Sequence, residues 1–319
     1  MIPNIFQLVY LFAGLASDPA ELAAAKTANG LEITLNGKPL ATFSQGDNTI
    51  LRPYFSNLHS PKGMRLTRTH PPLSDRDATD HATMHPGLWL GFGDISGEDF
   101  WRNKARMEPK DLEIEAGLNS QQIRFVTRHA LNAAGGRLMG HLKSRFSVGV
   151  SPTGCLIVWD AALEAGEKGL VLGDQEEMGF GARMAGTLIE KKGGKIANSN
   201  GKTTAKETWG QPAEWTDYSG IVNGAEAGIT LFASPDNLRP SWWHNRDYGL
   251  LVANPFGRAA LTGGERSSVE VVPEKPIRLV FVAIAHDGEG PAGMGHDPAA
   301  AAAAAENLTR IEFADHAGE

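Results

Sequence analysis

The sequence has almost no cysteine, and this excludes one class of fold. Its 319 residues include a single cysteine, Cys155, which has no partner for an intramolecular disulfide. A disulfide-stapled scaffold is therefore excluded. Because apolar residues flank it in "TGCLIVWD", we expect Cys155 to be a buried, inert core residue rather than a catalytic thiol.

An excess of positive charge and long apolar runs are lacking as well. Lys and Arg total 30 against 37 Asp and Glu, which gives a formal net charge of −7. A negative chain without a basic run repels phosphate backbones, so we expect no nucleic-acid partner. No apolar run reaches the roughly 20 residues of a membrane-spanning helix, so we expect no membrane span.

The N-terminal residues 1–26 leave two alternatives open. An apolar stretch from Ile5 to Ala16 ends in small residues, as in a secretory signal, but no Lys or Arg precedes it. A periplasmic or secreted protein and a cytoplasmic one are both compatible with this pattern. We therefore set residues 1–26 apart as a signal or an N-terminal extension.

From Leu31 onward the apolar pattern is typical of short strands. "LEITLNGKPLATFS" predicts strand, Asn-Gly turn and strand, and similar alternating segments recur between glycine-rich turns. Helical patterns occur only over residues 18–26 and in the alanine-rich run that follows Asp297 and Pro298. The sequence thus predicts an all-β fold, a large two-sheet antiparallel β-sandwich forming one domain over residues 27–319, with a C-terminal helix.

The segment "DHATMHPGLWLGFGDISGEDFW" carries the densest polar pattern of the chain. His81 and His85 are four residues apart, but Pro86 disfavours a helix there, so a loop entering a strand is expected. The two histidines suit acid–base chemistry or the binding of a divalent metal. The alternative without a functional role is that one of them is a hydrogen-bonded core residue. Trp89 is either a platform for a sugar ring or part of the core.

Three other segments combine charged and aromatic residues. Arg52 in "ILRPYF" suits an anionic or hydroxylated ligand, or a surface ion pair. In "LGDQEEMGFGARMAG" the acidic residues, among them Asp174 and Glu177, precede Arg183, a combination that suits a tuned carboxylate or a solvated turn. The third segment, "SWWHNRDYG", interleaves aromatic rings with hydrogen-bonding groups and suits a polyhydroxylated ligand.

The order of these segments resembles the soluble PmoA-like family of bacterial proteins of unknown function. The resemblance rests on "RPYFSNLHSPKG", the histidine segment, "DQEEMGFGARMAG", "WWHNRDYGLLVANPFG" and "AHDG", and covers nearly the whole chain after residue 30. It implies a supersandwich like that of galactose mutarotase and a link to sugar catabolism. The family label comes from a membrane-embedded methane monooxygenase subunit, whose activity is not carried over.

The leading hypothesis is a carbohydrate-active enzyme, a hydrolase, lyase or epimerase, acting on a sugar, an oligosaccharide or an oxidised sugar derivative. We expect its catalytic candidates to converge in one pocket: His81, His85, Asp174, Glu177 and His244. The candidates for binding the ligand are Arg52, Trp89, Arg183, Trp242, Trp243, Arg246 and Asp247. The alternatives are a non-catalytic carbohydrate-binding protein and an oxidoreductase with a divalent metal on His81 and His85.

Overall fold

The structure, a computed structural model, describes residues 20–115, 120–151 and 154–289. Most of the predicted N-terminal signal segment and the predicted C-terminal helix lie outside these ranges. The helix predicted over residues 18–26 is wrong, because Leu22–Thr27 forms a strand that pairs antiparallel with Gly30–Leu35. The high helix propensity of its alanines is overridden by this pairing.

The described residues contain eighteen strands, two short α-helices and one turn of 3-10 helix at Glu190–Lys192. The strands are β1 (Leu22–Thr27), β2 (Gly30–Leu35), β3 (Lys38–Ser44), β4 (Tyr54–Ser56), β5 (Leu88–Phe92), β6 (Arg106–Ile114), β7 (Gln122–Asn132), β8 (Leu138–Ser151), β9 (Gly154–Ala165), β10 (Leu170–Leu172), β11 (Met178–Arg183), β12 (Lys195–Asn198), β13 (Trp215–Val222), β14 (Ala225–Ala233), β15 (Trp242–Trp243), β16 (Leu250–Asn254), β17 (Val269–Val271) and β18 (Ile277–Asp287). The helices are α1 (Thr204–Thr208) and α2 (Arg258–Thr262).

The strands form two large antiparallel sheets, which confirms the predicted all-β sandwich. The first sheet has the order β1-β2-β3-β4-β5-β11-β16-β15, and the second has the order β12-β13-β14-β18-β9-β8-β7-β6. Strands β10 and β17 form a small separate ribbon. In the described part of the chain, no helix is long and apolar enough to cross a bilayer.

The hairpin predicted from its Asn-Gly turn is confirmed. Strands β2 and β3 pair up to Leu35 and Lys38, so that Asn36 and Gly37 alone form the loop. Their φ angles are 50° and 73°, the positive values at both central positions that a type I′ turn requires.

Aromatic side chains join the two sheets in the core. Phe43 of the first sheet packs 4.9 Å, between ring centroids, from both Phe125 and Phe146 of the second. Trp159 follows at 4.7 Å from Phe146. Cys155 lies in the same core, where burial raises the pKa of its thiol to about 12, so it is the inert residue expected.

Glycines on the outer face of the first sheet make room for two tryptophans. A Cβ atom on Gly181 in β11 would lie 2.9 Å from Trp89 Cζ2, and one on Gly91 in β5 would lie 2.9 Å from Trp101 Cε3. Both indole rings are fully buried, although they lie on the side of the sheet that faces away from the other sheet. At this point the outer face of the sheet is therefore covered by packed aromatic rings rather than by solvated side chains.

The outer face of the second sheet contains a buried ion pair. The Nε2 atom of His286 lies 2.8 Å from Asp217 Oδ1, which also accepts a hydrogen bond from the Thr230 hydroxyl. Burial alone would lower the pKa of His286, but the charge and hydrogen bond of Asp217 raise it above its ordinary value. The pair therefore stabilises the fold while the imidazole is protonated.

The close packing of Gly181 against Trp89 predicts a clear difference between two Gly→Ala substitutions. We expect Gly181→Ala to lower the free energy of unfolding by about 1–3 kcal/mol, because the added methyl group overlaps the Trp89 ring. Gly135→Ala is the control, since nothing lies within 4 Å of its added Cβ. Urea denaturation of both variants measures the effect, and equal stabilities would contradict the packing described.

The Asp217–His286 pair predicts a pH-dependent stability. Because the folded pKa of His286 is raised, its contribution is fully present below the unfolded pKa of about 6.5 and is lost as the pH rises through the folded pKa. We expect Asp217→Asn to cost about 1.5–3 kcal/mol at pH about 6 and clearly less at pH about 9. Denaturation curves at both pH values test this, and a cost independent of pH would show that the pair is not charged.

Candidate functional site

The candidate site lies on the outer face of the first sheet. Strand pairing aligns Tyr54 with Trp89, Trp89 with Gly181, and Gly181 with Val252. The amide of His244 donates to the carbonyl of Val252, which extends the same row across the last strand. Because paired residues on adjacent strands share a face, this row crosses the sheet beneath the histidine loop and the 244–248 turn.

Arg183, at the end of β11, holds the loop that carries the histidines. Its Nη2 atom donates to both carboxylate oxygens of Asp80 at 2.8 and 2.9 Å, and its Nη1 atom lies 3.2 Å from His85 Nδ1. The Arg183 side chain is only 1% exposed, whereas that of Asp80 is 41% exposed. A buried guanidinium thus fixes a carboxylate at the surface of the site.

A second buried arginine fastens the backbone of the same loop. Arg68 donates to the carbonyl oxygens of Ala78, His81 and His85 at 3.0, 3.1 and 2.8 Å. Its side chain is 1% exposed. The loop therefore keeps its shape without helix or strand, as the proline after His85 predicted.

Four nearly parallel rings rise from the sheet to the surface. His85 stacks on Trp89 with 5.1 Å between ring centroids, and His81 stacks on His85 at 5.0 Å. Tyr248 lies 6.2 Å from His81, and the Arg183 guanidinium lies 4.6 Å from the tyrosine ring centre. The stack buries His85 and leaves His81, between His85 and Tyr248, 42% exposed.

The two histidines of this loop differ in electrostatics. Burial and the nearby Arg183 charge hold the pKa of His85 well below its ordinary value, so its imidazole is neutral. His81 is 42% exposed, and its Nδ1 atom lies 2.7 Å from Asp80 Oδ2. Partial burial would raise the pKa of Asp80, but the His81 hydrogen bond and the Arg183 charge lower it, so Asp80 is ionised.

A second polar group is centred on Arg246. Its Nη2 atom pairs with Glu176 Oε2 at 3.2 Å, its Nε atom donates to His244 Nε2 at 3.2 Å, and its guanidinium lies 3.9 Å from the centre of the Trp209 ring. Burial lowers the pKa of His244 to about 4, and its Nδ1–H donates to the Glu176 carbonyl at 2.8 Å. His244 is therefore a neutral residue that orients Arg246.

Glu176 combines exposure with a perturbed pKa. Its side chain is 36% exposed. Burial and the charge of Glu177 raise its pKa, while Arg246 and Arg102 oppose this only in part. A raised pKa on a half-exposed carboxyl group is typical of a general acid.

Tyr248 connects the two groups. Burial raises the pKa of its hydroxyl, the nearby charges of Arg183 and Arg246 oppose this rise, and those of Asp80 and Glu176 add to it. A cleft of about 290 Å³ opens beside Arg183 and Tyr248, and one of about 650 Å³ opens beside Trp209 and Arg246. Arg183 and Arg246, the centres of the two polar groups, each line one of these clefts.

Two predicted carboxylates have other tasks. Asp174 accepts backbone N–H bonds from Ala259, Ala260 and Ser267 at 2.7–2.9 Å, so it caps α2 and its predicted catalytic role is corrected. Glu177 forms an ion pair with Arg102 at 2.6 Å. It therefore positions a loop beside the site, and its neighbour Glu176 faces Arg246 instead.

Four predicted ligand-binding residues are buried. One is Arg183, which holds the histidine loop, and the other three offer no surface to a ligand. Trp243 faces the core and donates to the Ala213 carbonyl, and Trp89 lies beneath His85. Arg52 donates to the Trp101 carbonyl at 2.7 Å and to that of Met84. We therefore correct all three to supporting roles.

The other predicted binding residues keep access to solvent. Trp242 is partly exposed on β15, and Arg246 lines the larger cleft. Asp247 also lines that cleft and pairs with Lys191 at 3.3 Å.

The donor set does not fit a metal on His81 and His85. Among the residues that the structure describes, no group of three or more His, Cys, Asp or Glu side chains is placed to hold one ion. The two imidazoles are stacked, one Nδ1 atom faces the Arg183 guanidinium and the other faces Asp80. Because the Arg183 charge would repel a cation beside it, this pair of histidines suits proton transfer better than metal binding.

The candidates chosen from the sequence do not include five residues that the tertiary structure brings to the site: Arg68, Asp80, Glu176, Trp209 and Tyr248. Asp80 and Tyr248 stand beside residues that were proposed, so spacing pointed to their segments. Nothing in the local pattern distinguishes Glu176 from Glu177, since the choice depends on which arginine each one meets. Trp209 lies in a segment without any other signal.

Several solved structures are similar to this chain. A galactose mutarotase-like protein from Lactobacillus casei is 10% identical, covers 83% of this chain and 100% of its own, and has a TM-score of 0.36. The Slr1438 protein from Synechocystis is 13% identical, with 88% and 99% covered and a TM-score of 0.34. A galactose mutarotase related enzyme from Lactobacillus acidophilus is 9% identical, with 83% and 97% covered and a TM-score of 0.29. These likenesses carry no argument about activity.

The sequence comparisons give a family but no activity. No curated protein matches the sequence. A family model described as DUF6807, a family of unknown function, matches residues 30–299, and the chain belongs to that family.

Proposed function

We propose that this protein is a carbohydrate-active enzyme that moves protons on a sugar or an oxidised sugar derivative. The observation that carries the proposal is the pair of accessible titratable groups on one sheet face, each held by an arginine. These groups are His81, with its partner Asp80, and Glu176. A relationship to the PmoA-like proteins is part of this proposal and remains a prediction.

His81 is the proposed general base. Asp80 accepts the Nδ1–H of His81, which leaves the Nε2 lone pair free to accept a proton from a substrate hydroxyl or carbon. Arg183 keeps Asp80 in place, and the neutral ring of His85 supports the imidazole from below. Such an orienting carboxylate also stabilises the imidazolium that forms.

Glu176 is the proposed general acid. Its raised pKa keeps the carboxyl group protonated at a higher pH than an ordinary glutamate, so it can donate to a sugar oxygen. The rings of Tyr248 and Trp209 offer apolar surface beside these polar groups. A mixture of ring faces and convergent polar groups is what a polyhydroxylated ligand requires.

A screen of aldoses, hexuronates and their glycosides, followed by proton NMR, tests the proposal. One spectrum reports anomer exchange, epimerisation, elimination and hydrolysis. Turnover that depends on Glu176 and His81 supports the enzyme. Binding without turnover of any sugar would favour the alternative, a non-catalytic carbohydrate-binding protein.

The first kinetic prediction concerns Glu176→Gln. We expect kcat/KM to fall by about 10²–10⁴-fold with ligand binding retained, because the amide fills the same space but donates no acidic proton. In the wild type, activity falls as the pH rises through the raised pKa of Glu176, and the variant loses that limb. Glu164→Gln in β9 is the matched control, since Glu164 lies in the second sheet.

The second kinetic prediction concerns His81→Asn. We expect a loss of about 10²–10⁴-fold in kcat with a smaller change in KM, because the base is removed while the loop stays fastened by Arg68. His141→Asn, on β8 of the second sheet, is the control. A kcat that is unchanged in His81→Asn would remove the proposed base from the mechanism.

A further inference from the structure

The smaller cleft has the composition of an anion-binding site. It measures about 290 Å³, at the lower end of the range of about 300–1,000 Å³ for small-molecule sites, and it shares Arg183 and Tyr248 with the candidate site. Six charged residues line it, four of them cationic: Arg68, Arg76, Arg183, Lys192, Asp75 and Asp77. Its size suits one sugar ring rather than a chain of sugars.

Both acidic residues of this lining already have cationic partners. Asp77 pairs with Arg65 at 2.7 Å and accepts the Gly186 amide at 2.9 Å. Asp75 pairs with the adjacent Arg76 at 3.3 Å. The net charge of the cleft is therefore set by the three remaining cations, Arg68, Arg183 and Lys192.

The two remaining arginines share one carboxylate. Asp80 lies 2.8 Å from Arg183 and 4.0 Å from Arg68. Lys192 is exposed and forms no ion pair within the described part of the chain. Three positive charges thus face one negative charge, and the two arginines are buried, where water screens them least.

We infer that this cleft binds the carboxylate of a sugar acid, so that the substrate of the proposed enzyme is a hexuronate or a related sugar acid. Lys192 contacts the carboxylate directly, because the terminal Nη1 and Nη2 atoms of Arg68 and Arg183 already donate to the loop. The buried arginines supply the favourable potential. Tyr248, which lines the same cleft, presents the ring beside His81. This inference rests on the proposed function for the identity of the ligand as a sugar.

The test compares hexuronates with their neutral parent aldoses, galacturonate with galactose and glucuronate with glucose, by isothermal titration calorimetry. We expect the acid to bind at least about 10-fold more tightly, and added salt to weaken only the acid. We expect Lys192→Gln to reduce hexuronate affinity by about 2- to 5-fold and to leave the neutral sugar unchanged. Lys195→Gln is the matched control, because Lys195 is 73% exposed on β12 in the second sheet and pairs with Glu226.

The outcomes separate this inference from the proposed function. Equal affinity for acid and neutral sugar, or acetate and sulfate binding as tightly as the hexuronate, would overturn the inference and show an adventitious ion only. A hexuronate preference that Lys192→Gln reduces supports the inference even when no sugar is turned over, a result that counts against the proposed catalysis alone. Turnover restricted to neutral sugars would overturn the inference and leave the catalysis standing.

Discussion

The ion pair between the Arg183 Nη2 atom and both carboxylate oxygens of Asp80 is the interaction on which the candidate site depends. Arg183 ends a strand in the middle of the first sheet, and its guanidinium is buried between that strand and the histidine loop. A buried charge without a partner costs several kcal/mol, so Asp80 and His85 are constrained to meet it. This fixes the position of the ring stack and leaves His81 partly exposed between His85 and Tyr248. The Arg68 bonds to the loop backbone add the rigidity that an irregular segment lacks.

Burial then divides the titratable groups into two kinds. His85 and His244 lie where the charged form is disfavoured, so both are neutral and serve to orient neighbouring arginines. His81 and Glu176 retain solvent access, and the raised pKa of Glu176 keeps a proton available. His81 and His85 thus differ in role because one is exposed and the other is buried beside the Arg183 charge. The small cleft keeps a positive potential because Arg68 pairs mainly with carbonyl dipoles and shares the single Asp80 carboxylate with Arg183.

Predictions from the sequence succeeded where the interactions are local along the chain, and they failed where the interactions join distant residues. The β2–β3 hairpin and the core position of Cys155 depend on neighbours along the chain and on burial, and both predictions are confirmed. The helix predicted over 18–26 is wrong, because strand pairing outweighs the propensity of its alanines. Asp174 is a cap because α2, some 85 residues later, presents its first amides to it. The residues around Asp174 in the sequence do not indicate that contact.

By itself, the sequence determined the all-β class, the strand-and-turn pattern and the segments in which polar and aromatic residues concentrate. Alternation and turn chemistry are local, so they can be recognised without knowing the fold. Only the tertiary structure decided which members of those segments face the site: Glu176 rather than Glu177, His81 rather than His85, and Trp242 rather than Trp243. Adjacent residues of a strand point to opposite faces, and an ion pair joins groups far apart in the chain. The burial and the ion pairs of these side chains set their charge and their access to solvent. Both therefore arise only when the two sheets and their loops are assembled.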